Sequence, residues 1–168
     1  VAADHKVRIS SRLIESIRNH VSDLPREISP EASSQFIALL NRAGTVGTFV
    51  RDLYECGILE ILIPQFTHAR GLLQFNNYHA YTVDEHTFRV IEGLDHLSKE
   101  SPTKEIFAKV RQPWVLYLAM LLHDLGKGYE QDHSQLGAQI ALKTAARLGL
   151  KQTDAKTIEL LVLQHLSM

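Results

Sequence analysis

The sequence has one cysteine, no block of like charge and no long hydrophobic run. With Cys56 alone, the chain can form neither an internal disulfide nor a cysteine zinc cage, and a reducing compartment is indicated. The 18 Lys and Arg residues nearly balance the 19 Asp and Glu residues, which argues against nucleic acid or an anionic membrane as the main partner. The longest apolar run, Trp114–Leu122, is far shorter than a membrane span of about 20 residues.

The chain also lacks a signal-peptide pattern, and we therefore expect a cytoplasmic protein. It begins at Val1 rather than at methionine, which favours a fragment or a processed product. Its 168 residues, 45% of them hydrophobic, are typical of a globular domain that is large enough to bury its own core. Nine of the residues are histidine, which is the unusual feature of the composition.

Apolar residues recur at intervals of three and four along almost the whole chain, the spacing of amphipathic helices. The clearest start signal is Ser29 followed by Pro30, an N-cap and a first-turn proline. Gly149 lies where a helix is expected to end. The apolar segment 58–63 could be a strand or a helical turn, and a turn is favoured because no partner strand is apparent. We predict an all-α bundle of about eight helices.

The chain divides into an N-terminal helical lead-in, residues 1–65, and a part with the informative residues, residues 66–168. In the second part an apolar helix from Trp114 ends at the adjacent pair His123 and Asp124. A helix that is apolar on all faces is buried, and burying an unpaired carboxylate costs several kcal/mol, so a compensating cation is expected. The alternative is an exposed pair held by caps and water, which the apolar helix makes less favourable.

Three further histidines lie in helical segments, namely His86, His133 and His165. A single histidine on an apolar helix face is more often a hydrogen-bonded core residue than a ligand. Together with His123 and Asp124, however, they place four imidazoles and one carboxylate on four helices, an arrangement that helix bundles use to bind paired metal ions. Such ligands suit Mn, Fe or Zn, and the sequence does not distinguish these from Mg.

The order of these residues resembles that of the HD-domain metal-dependent phosphohydrolases. Segments 75–90, 121–128 and 132–139 are very similar to the central domain of a bacterial family, the uridylyltransferase/uridylyl-removing enzymes that act on the nitrogen-regulatory PII protein. The resemblance extends upstream to residues 57–66 and is weakest over residues 1–40.

This resemblance implies an HD helical bundle that hydrolyses the uridylyl-tyrosine phosphodiester of a PII-type protein and releases UMP. It implies two divalent metal ions, with the family's ligands at His86, His123, Asp124, His133 and His165. The family's last metal-binding aspartate lies beyond the final histidine, so we expect a C-terminal truncation that leaves the isolated fragment short of full activity. A nucleotidyltransferase domain before this region and small-molecule-sensing domains after it are also implied.

In the expected mechanism Asp124 bridges the two ions, one shared with His86 and His123, the other with His133 and His165. Lys127 is predicted to balance charge that develops on the phosphoryl oxygens during hydrolysis. The alternative for Lys127 is a solvated cation, which is favourable near the C-terminus of a helix.

Four residues near His86 are predicted to support the site. Asp84 and Glu85 either orient His86 or simply occupy the first turn of a helix, where acidic residues are favoured. His79 lies seven residues before His86, and it either shares a helix face with His86 or, together with Tyr81, lines the approach to the site. Two other functions stay open at this point: a stand-alone HD phosphohydrolase acting on free nucleotides, and a catalytically silent HD-like domain used for protein interaction or signalling.

Overall fold

The computed structural model describes residues 9–73 and 81–166, and in these two ranges every regular element is helical. The bounds of the ten α helices found there are α1 Ser11–His20, α2 Pro30–Leu40, α3 Val46–Glu55, α4 Leu59–Leu62, α5 Phe66–Ala69, α6 Val83–Leu97, α7 Thr103–Phe107, α8 Pro113–Leu122, α9 His133–Arg147 and α10 Gln152–Leu163. The all-α prediction is confirmed. The number exceeds the predicted eight because α4 and α5 are single helical turns.

Two helices begin at residues whose side chains cap the first turn. Ser29 caps α2 by accepting the Ala32 N–H at 3.1 Å, and Pro30 is the first residue of that helix. Asp132 caps α9 in the same way by accepting the Gln135 N–H at 2.9 Å. These local signals therefore fix the positions at which two of the helices begin.

Of two short apolar segments, one agrees with the sequence prediction and one differs from it. The segment 58–63 contains the one-turn helix α4, so the favoured helical turn is correct. The apolar residues Ile106, Phe107 and Val110 predict a short helix at residues 106–110, whereas α7 covers Thr103–Phe107. The apolar pattern was misleading there because Ile106 is 66% exposed and marks no buried face.

Helix α8 lies at the centre of the molecule. Leu118, Leu121 and Leu122 are fully buried, and the helix packs against α2, α6, α9 and α10. A helix surrounded by four others has no face left for polar residues, which explains its apolar sequence. No helix in the described ranges is both long and apolar enough to cross a membrane.

Residues from both predicted parts of the chain contribute to one hydrophobic core. Phe36 and Leu40 of α2 belong to the same buried cluster as Leu118 of α8 and Ile158 of α10. A hydrogen bond from Ser33 Oγ to the Leu148 carbonyl, 2.5 Å long, also joins α2 to the end of α9. The division at residue 65 stays a prediction about sequence organisation, and the two parts share their packing.

A buried carboxylate on α6 joins three helices that position the site. Asp95 accepts N–H groups from Gly44 at 2.8 Å, Val46 at 3.2 Å and Gly47 at 2.7 Å, and so caps the N-terminus of α3 from outside that helix. It also accepts the Tyr117 hydroxyl of α8 at 2.7 Å. Helix α6, which carries His86, and helix α8, which ends just before His123, are thereby held together.

Candidate metal centre

The five predicted ligands lie at helix ends that meet in one place. His86 is in the first turn of α6, His133 is the first residue of α9, and His165 lies two residues after the end of α10. His123 and Asp124 directly follow α8, and both are buried. Each ligand thus projects from the end of an element that is anchored in the core.

The Asp124 carboxylate is the centre of this group. Its Oδ2 atom lies 3.4 Å from His86 Nε2, 3.2 Å from His123 Nε2 and 2.7 Å from Lys127 Nζ, while its Oδ1 atom lies 3.5 Å from His165 Nε2. Ligand atoms of His86, His123 and Asp124 all lie within 4.8 Å of one another, close enough to share one metal ion.

His133 is placed beside the other ligands by its contact with the ring of His165. The four imidazoles form a continuous row in which ring centroids are 5.4 Å apart for His86 and His123, 5.3 Å for His123 and His165, and 5.8 Å for His165 and His133. The structure therefore brings all five predicted residues together, with Asp124 beside the middle of the row.

Two backbone carbonyls fix the proton positions on two of the rings. His123 Nδ1 lies 2.6 Å from the Met120 carbonyl oxygen, and His165 Nδ1 lies 2.6 Å from the Val162 carbonyl oxygen. Because a carbonyl can only accept, each Nδ1 must carry the hydrogen, which leaves the Nε2 lone pair directed towards Asp124. Metal-binding histidines are commonly oriented by this kind of contact, and the sequence alone gave no sign of either carbonyl.

The polar atoms of the centre fit a bound cation. Asp124 Oδ1, His133 Nε2 and His165 Nε2 are buried, and the described residues offer none of them a hydrogen bond. An unsatisfied buried polar atom costs about 1–3 kcal/mol, so three in one place would be expensive in the absence of a ligand. Nitrogen and carboxylate oxygen are common ligands of divalent transition metals, and the residues present fit such an ion.

The electrostatics favour the metal-binding protonation states. Burial alone would raise the pKa of Asp124, but its contacts with His123 and with the Lys127 ammonium outweigh burial and hold that pKa well below its usual range. Burial lowers the pKa of His165, and this effect exceeds the opposing contributions of the Val162 carbonyl and Asp124. Asp124 is therefore a carboxylate, and His165 a neutral imidazole, at neutral pH.

Glycines allow the helix ends to approach so closely. A Cβ atom added at Gly126 would lie 2.1 Å from the His133 carbonyl oxygen and 2.8 Å from the Gly137 nitrogen, so only glycine fits between the His-Asp turn and α9. At Gly137 an added Cβ would lie 3.1 Å from Val162 on α10. From the sequence, Gly137 predicts close helix packing, whereas Gly126 indicates only the end of the apolar helix.

Asp84 anchors the first turn of α6. Its carboxylate accepts hydrogen bonds from the Tyr54 hydroxyl on α3 and, at 2.8 Å, from the Gly71 N–H. Burial opposes ionisation, but donors including Tyr54 and Gly71 hold the pKa of Asp84 below its usual value. These bonds fix the backbone next to His86, and a direct role of Asp84 in orienting that ring stays a prediction.

Glu85 and Tyr81 belong to a charged and aromatic surface next to this turn. Glu85 accepts from Arg51 at 2.8 Å and from Arg89 at 2.9 Å, and these contacts lower its pKa. Tyr81 is 43% exposed, with the Arg89 guanidinium 4.0 Å from its ring centroid. Its predicted place along the approach stays a prediction, and His79 lies outside the described residues.

The helical bundle and its histidine–aspartate centre define a class of protein that is also found by sequence comparison. Residues 83–168 match the family described as HD domain, and the chain belongs to that family. The match begins at the first residue of α6 and contains all five predicted ligands. The family predicted from the sequence is thereby confirmed, together with its helical fold.

Within this class the chain is similar to proteins named bifunctional uridylyltransferase/uridylyl-removing enzyme. It is 43% identical to the one from Ruegeria pomeroyi over 145 residues, which cover 82% of this chain and 16% of the relative. The relative from Cereibacter sphaeroides is 39% identical over 155 residues, which cover 89% of this chain and 17% of the relative. The relative from Novosphingobium aromaticivorans is 35% identical over 176 residues, which cover 100% of this chain and 19% of the relative. The chain thus spans less than a fifth of the length of these three relatives.

Proposed function

We propose that this chain is a metal-dependent phosphodiesterase that removes the uridylyl group from a tyrosine of a PII-type protein and releases UMP. The observation that carries the proposal is the buried Asp124 carboxylate, which has histidine Nε2 atoms 3.2–3.5 Å away on both of its oxygens. The names of the similar proteins, which include a uridylyl-removing activity, support this choice of substrate.

Divalent ions at the proposed site would be held by His86, His123, Asp124, His133 and His165. Bound ions of this kind lower the pKa of a coordinated water and neutralise charge on the phosphoryl oxygens. The protein contributes fixed ligand geometry, since the rings of His123 and His165 are held by backbone carbonyls. Mn, Fe, Mg and Zn are all compatible with the proposal.

Lys127 is proposed to act on the phosphate. Its Nζ atom lies 2.7 Å from Asp124 Oδ2, and its side chain is 11% exposed, so its charge is held in a fixed position inside the centre. That cation can stabilise the negative charge that grows on the phosphoryl oxygens. The tyrosine leaving group has a pKa near 10 and therefore departs with little help from a general acid.

The remaining partners are proposed from the same relatives. Because their names include a uridylyltransferase and this chain matches less than a fifth of their length, we assign the nucleotidyltransferase and the effector-sensing functions to other parts of the full protein. The substrate is then a PII-type signalling protein in the cytoplasm.

The test is release of UMP from a uridylylated PII protein. We expect EDTA to abolish the release and Mn²⁺ to restore it. Asp124→Asn is expected to lower the rate by about a hundredfold or more and to reduce the metal content measured by mass spectrometry, because the charge of the one carboxylate ligand is lost. Asp154→Asn, a change in the first turn of α10, is the control and should retain both properties.

Two results would contradict this proposal. One is an Asp124→Asn protein that retains its metal and its full rate of UMP release. The other is an unmodified protein that hydrolyses free nucleotides with Mn²⁺ present but leaves uridylylated PII intact, which would favour a stand-alone nucleotide phosphohydrolase instead.

A further inference from the structure

The surface beside the metal centre carries a close, tilted pair of rings, His68 of α5 and Tyr129 of the loop that follows the His-Asp turn. Their centroids are 4.2 Å apart, and their planes are inclined by 33°. Both residues are exposed, Tyr129 to 44%. Rings that served only to fill the core would be covered, whereas this pair keeps aromatic surface in contact with solvent.

The backbone holds this pair next to the centre. Tyr129 follows Lys127 by two residues, so their Cα atoms are at most about 7.6 Å apart. Between them, Gly128 has a φ of +82°, and a Cβ atom added there would lie 2.9 Å from His68 Nε2 and 2.6 Å from Leu72 Cδ2. The loop that carries Lys127 is therefore packed directly against His68.

The same contacts place the pair at the open edge of the centre. Leu72, which touches Gly128, accepts the Val83 N–H at 3.0 Å and so contacts the first turn of α6. That turn carries His86, whose side chain is 39% exposed, compared with 7% for His123 and for His165. A phosphate that approached from the His86 side would thus lie next to the His68–Tyr129 pair.

On the basis of the proposed function, we propose that the outer face of the His68–Tyr129 pair stacks on the nucleobase of the uridylyl group. The substrate has two rings attached through its phosphate, the uracil and the tyrosine phenol. The phenol is tied to a folded protein whose bulk stays outside the site, whereas the uracil is at the free end and can lie flat on an exposed ring. Aromatic side chains bind bases through such stacking, without strict base selectivity.

His68 and Tyr129 are in this view positioning residues that hold the nucleotide while its phosphate is at the metal centre. Two model phosphodiesters separate the base from the leaving group. The p-nitrophenyl ester of UMP has a base, and methyl p-nitrophenyl phosphate has the same leaving group and no base. Tyr129→Ala and His68→Ala are each expected to raise KM for the UMP ester about tenfold, with kcat little changed and the methyl ester unaffected.

Three controls accompany this comparison. Tyr129→Phe keeps the ring and should retain the normal KM. Ile106→Ala, which removes an exposed apolar side chain from α7, should have no effect on either ester. Binding of UMP and of ribose 5-phosphate, measured by calorimetry, gives a readout without turnover: Tyr129→Ala should weaken only UMP, again about tenfold.

The proposal is overturned if Tyr129→Ala affects both esters equally, because the pair then supports the loop or contacts the leaving group. It is also overturned if neither the UMP ester nor UMP is affected. An unmodified protein that hydrolyses neither ester with Mn²⁺ present would count against the proposed function, and the comparison of UMP with ribose 5-phosphate would still decide the role of the pair.

Discussion

At the residue scale, the chemistry depends on how one carboxylate is kept ionised inside the protein. Asp124 is 1% exposed, and a buried charge of this kind is stable only with nearby cations or donors. Lys127 and His123 both lie on its Oδ2 atom, and His165 lies on the Oδ1 side. Lys127 is therefore either part of the catalytic machinery or only a partner that stabilises the buried charge.

Replacement of Lys127 by methionine separates these two roles. If Lys127 stabilises charge on the phosphoryl oxygens, Lys127→Met should lower kcat for UMP release by about 10- to 100-fold and leave the metal content unchanged. Lys156→Met is a matched control, since Lys156 also pairs with a carboxylate three residues away, Glu159, but on the exposed surface of α10. A Lys127→Met protein with normal kcat and a lowered Tm would show that the lysine has only the stabilising role.

At the scale of the helices, ligands are presented by helix ends rather than by helix faces. α8 ends immediately before His123, and α9 begins at His133, so the turn between them brings two predicted ligands together. This turn can pack against α9 only because Gly126 has no side chain. The geometry of the centre therefore depends on a residue that has no chemistry of its own.

A comparison of two glycine substitutions tests this dependence. Gly126→Ala would place a methyl group 2.1 Å from the His133 carbonyl oxygen and should lower the free energy of unfolding by about 2 kcal/mol or more. Gly93→Ala, in the middle of α6 with no atom within 4 Å of the new methyl group, should raise it by about 0.5–1 kcal/mol. Urea unfolding measures both changes, and a Gly126→Ala protein as stable as the unmodified one would contradict the close approach.

At the scale of the whole molecule, the lead-in and the part with the metal centre share one core. Phe36 of α2 is 4% exposed and belongs to the same cluster as the central residues of α8. Trp114, the single tryptophan, lies on α8 and is packed against this cluster, so its fluorescence reports on the second part of the chain.

We therefore expect unfolding to be a single cooperative transition. Phe36→Ala should lower the free energy of unfolding by about 3–5 kcal/mol, and the shift should be the same by Trp114 fluorescence and by far-ultraviolet circular dichroism. Leu13→Ala, at a lead-in position that is 50% exposed, is the control and should change little. If Phe36→Ala does not shift the unfolding transition measured by Trp114 fluorescence, the two parts unfold independently.

The helices and the candidate ligands were predictable from the sequence because their signals are local. The caps Ser29 and Asp132 act on N–H groups three residues away, and the helical period is visible within about two turns. The five ligands were recognisable from the residue order and from the family resemblance, which does not require knowledge of their distances. The His-Asp pair was informative because an apolar helix leads directly into it.

The contacts that only the tertiary structure decided join residues far apart in the chain. Asp95 caps α3 with donors about 50 positions away, and His68 lies against Tyr129 although α6, α7 and α8 separate them in the chain. Such pairs have no periodicity and no local signature, because they arise only when the helices pack. The sequence by itself thus determined helices, their ends and the identity of the ligands, whereas packing decided which side chains meet around Asp124 and which surface the substrate is proposed to contact.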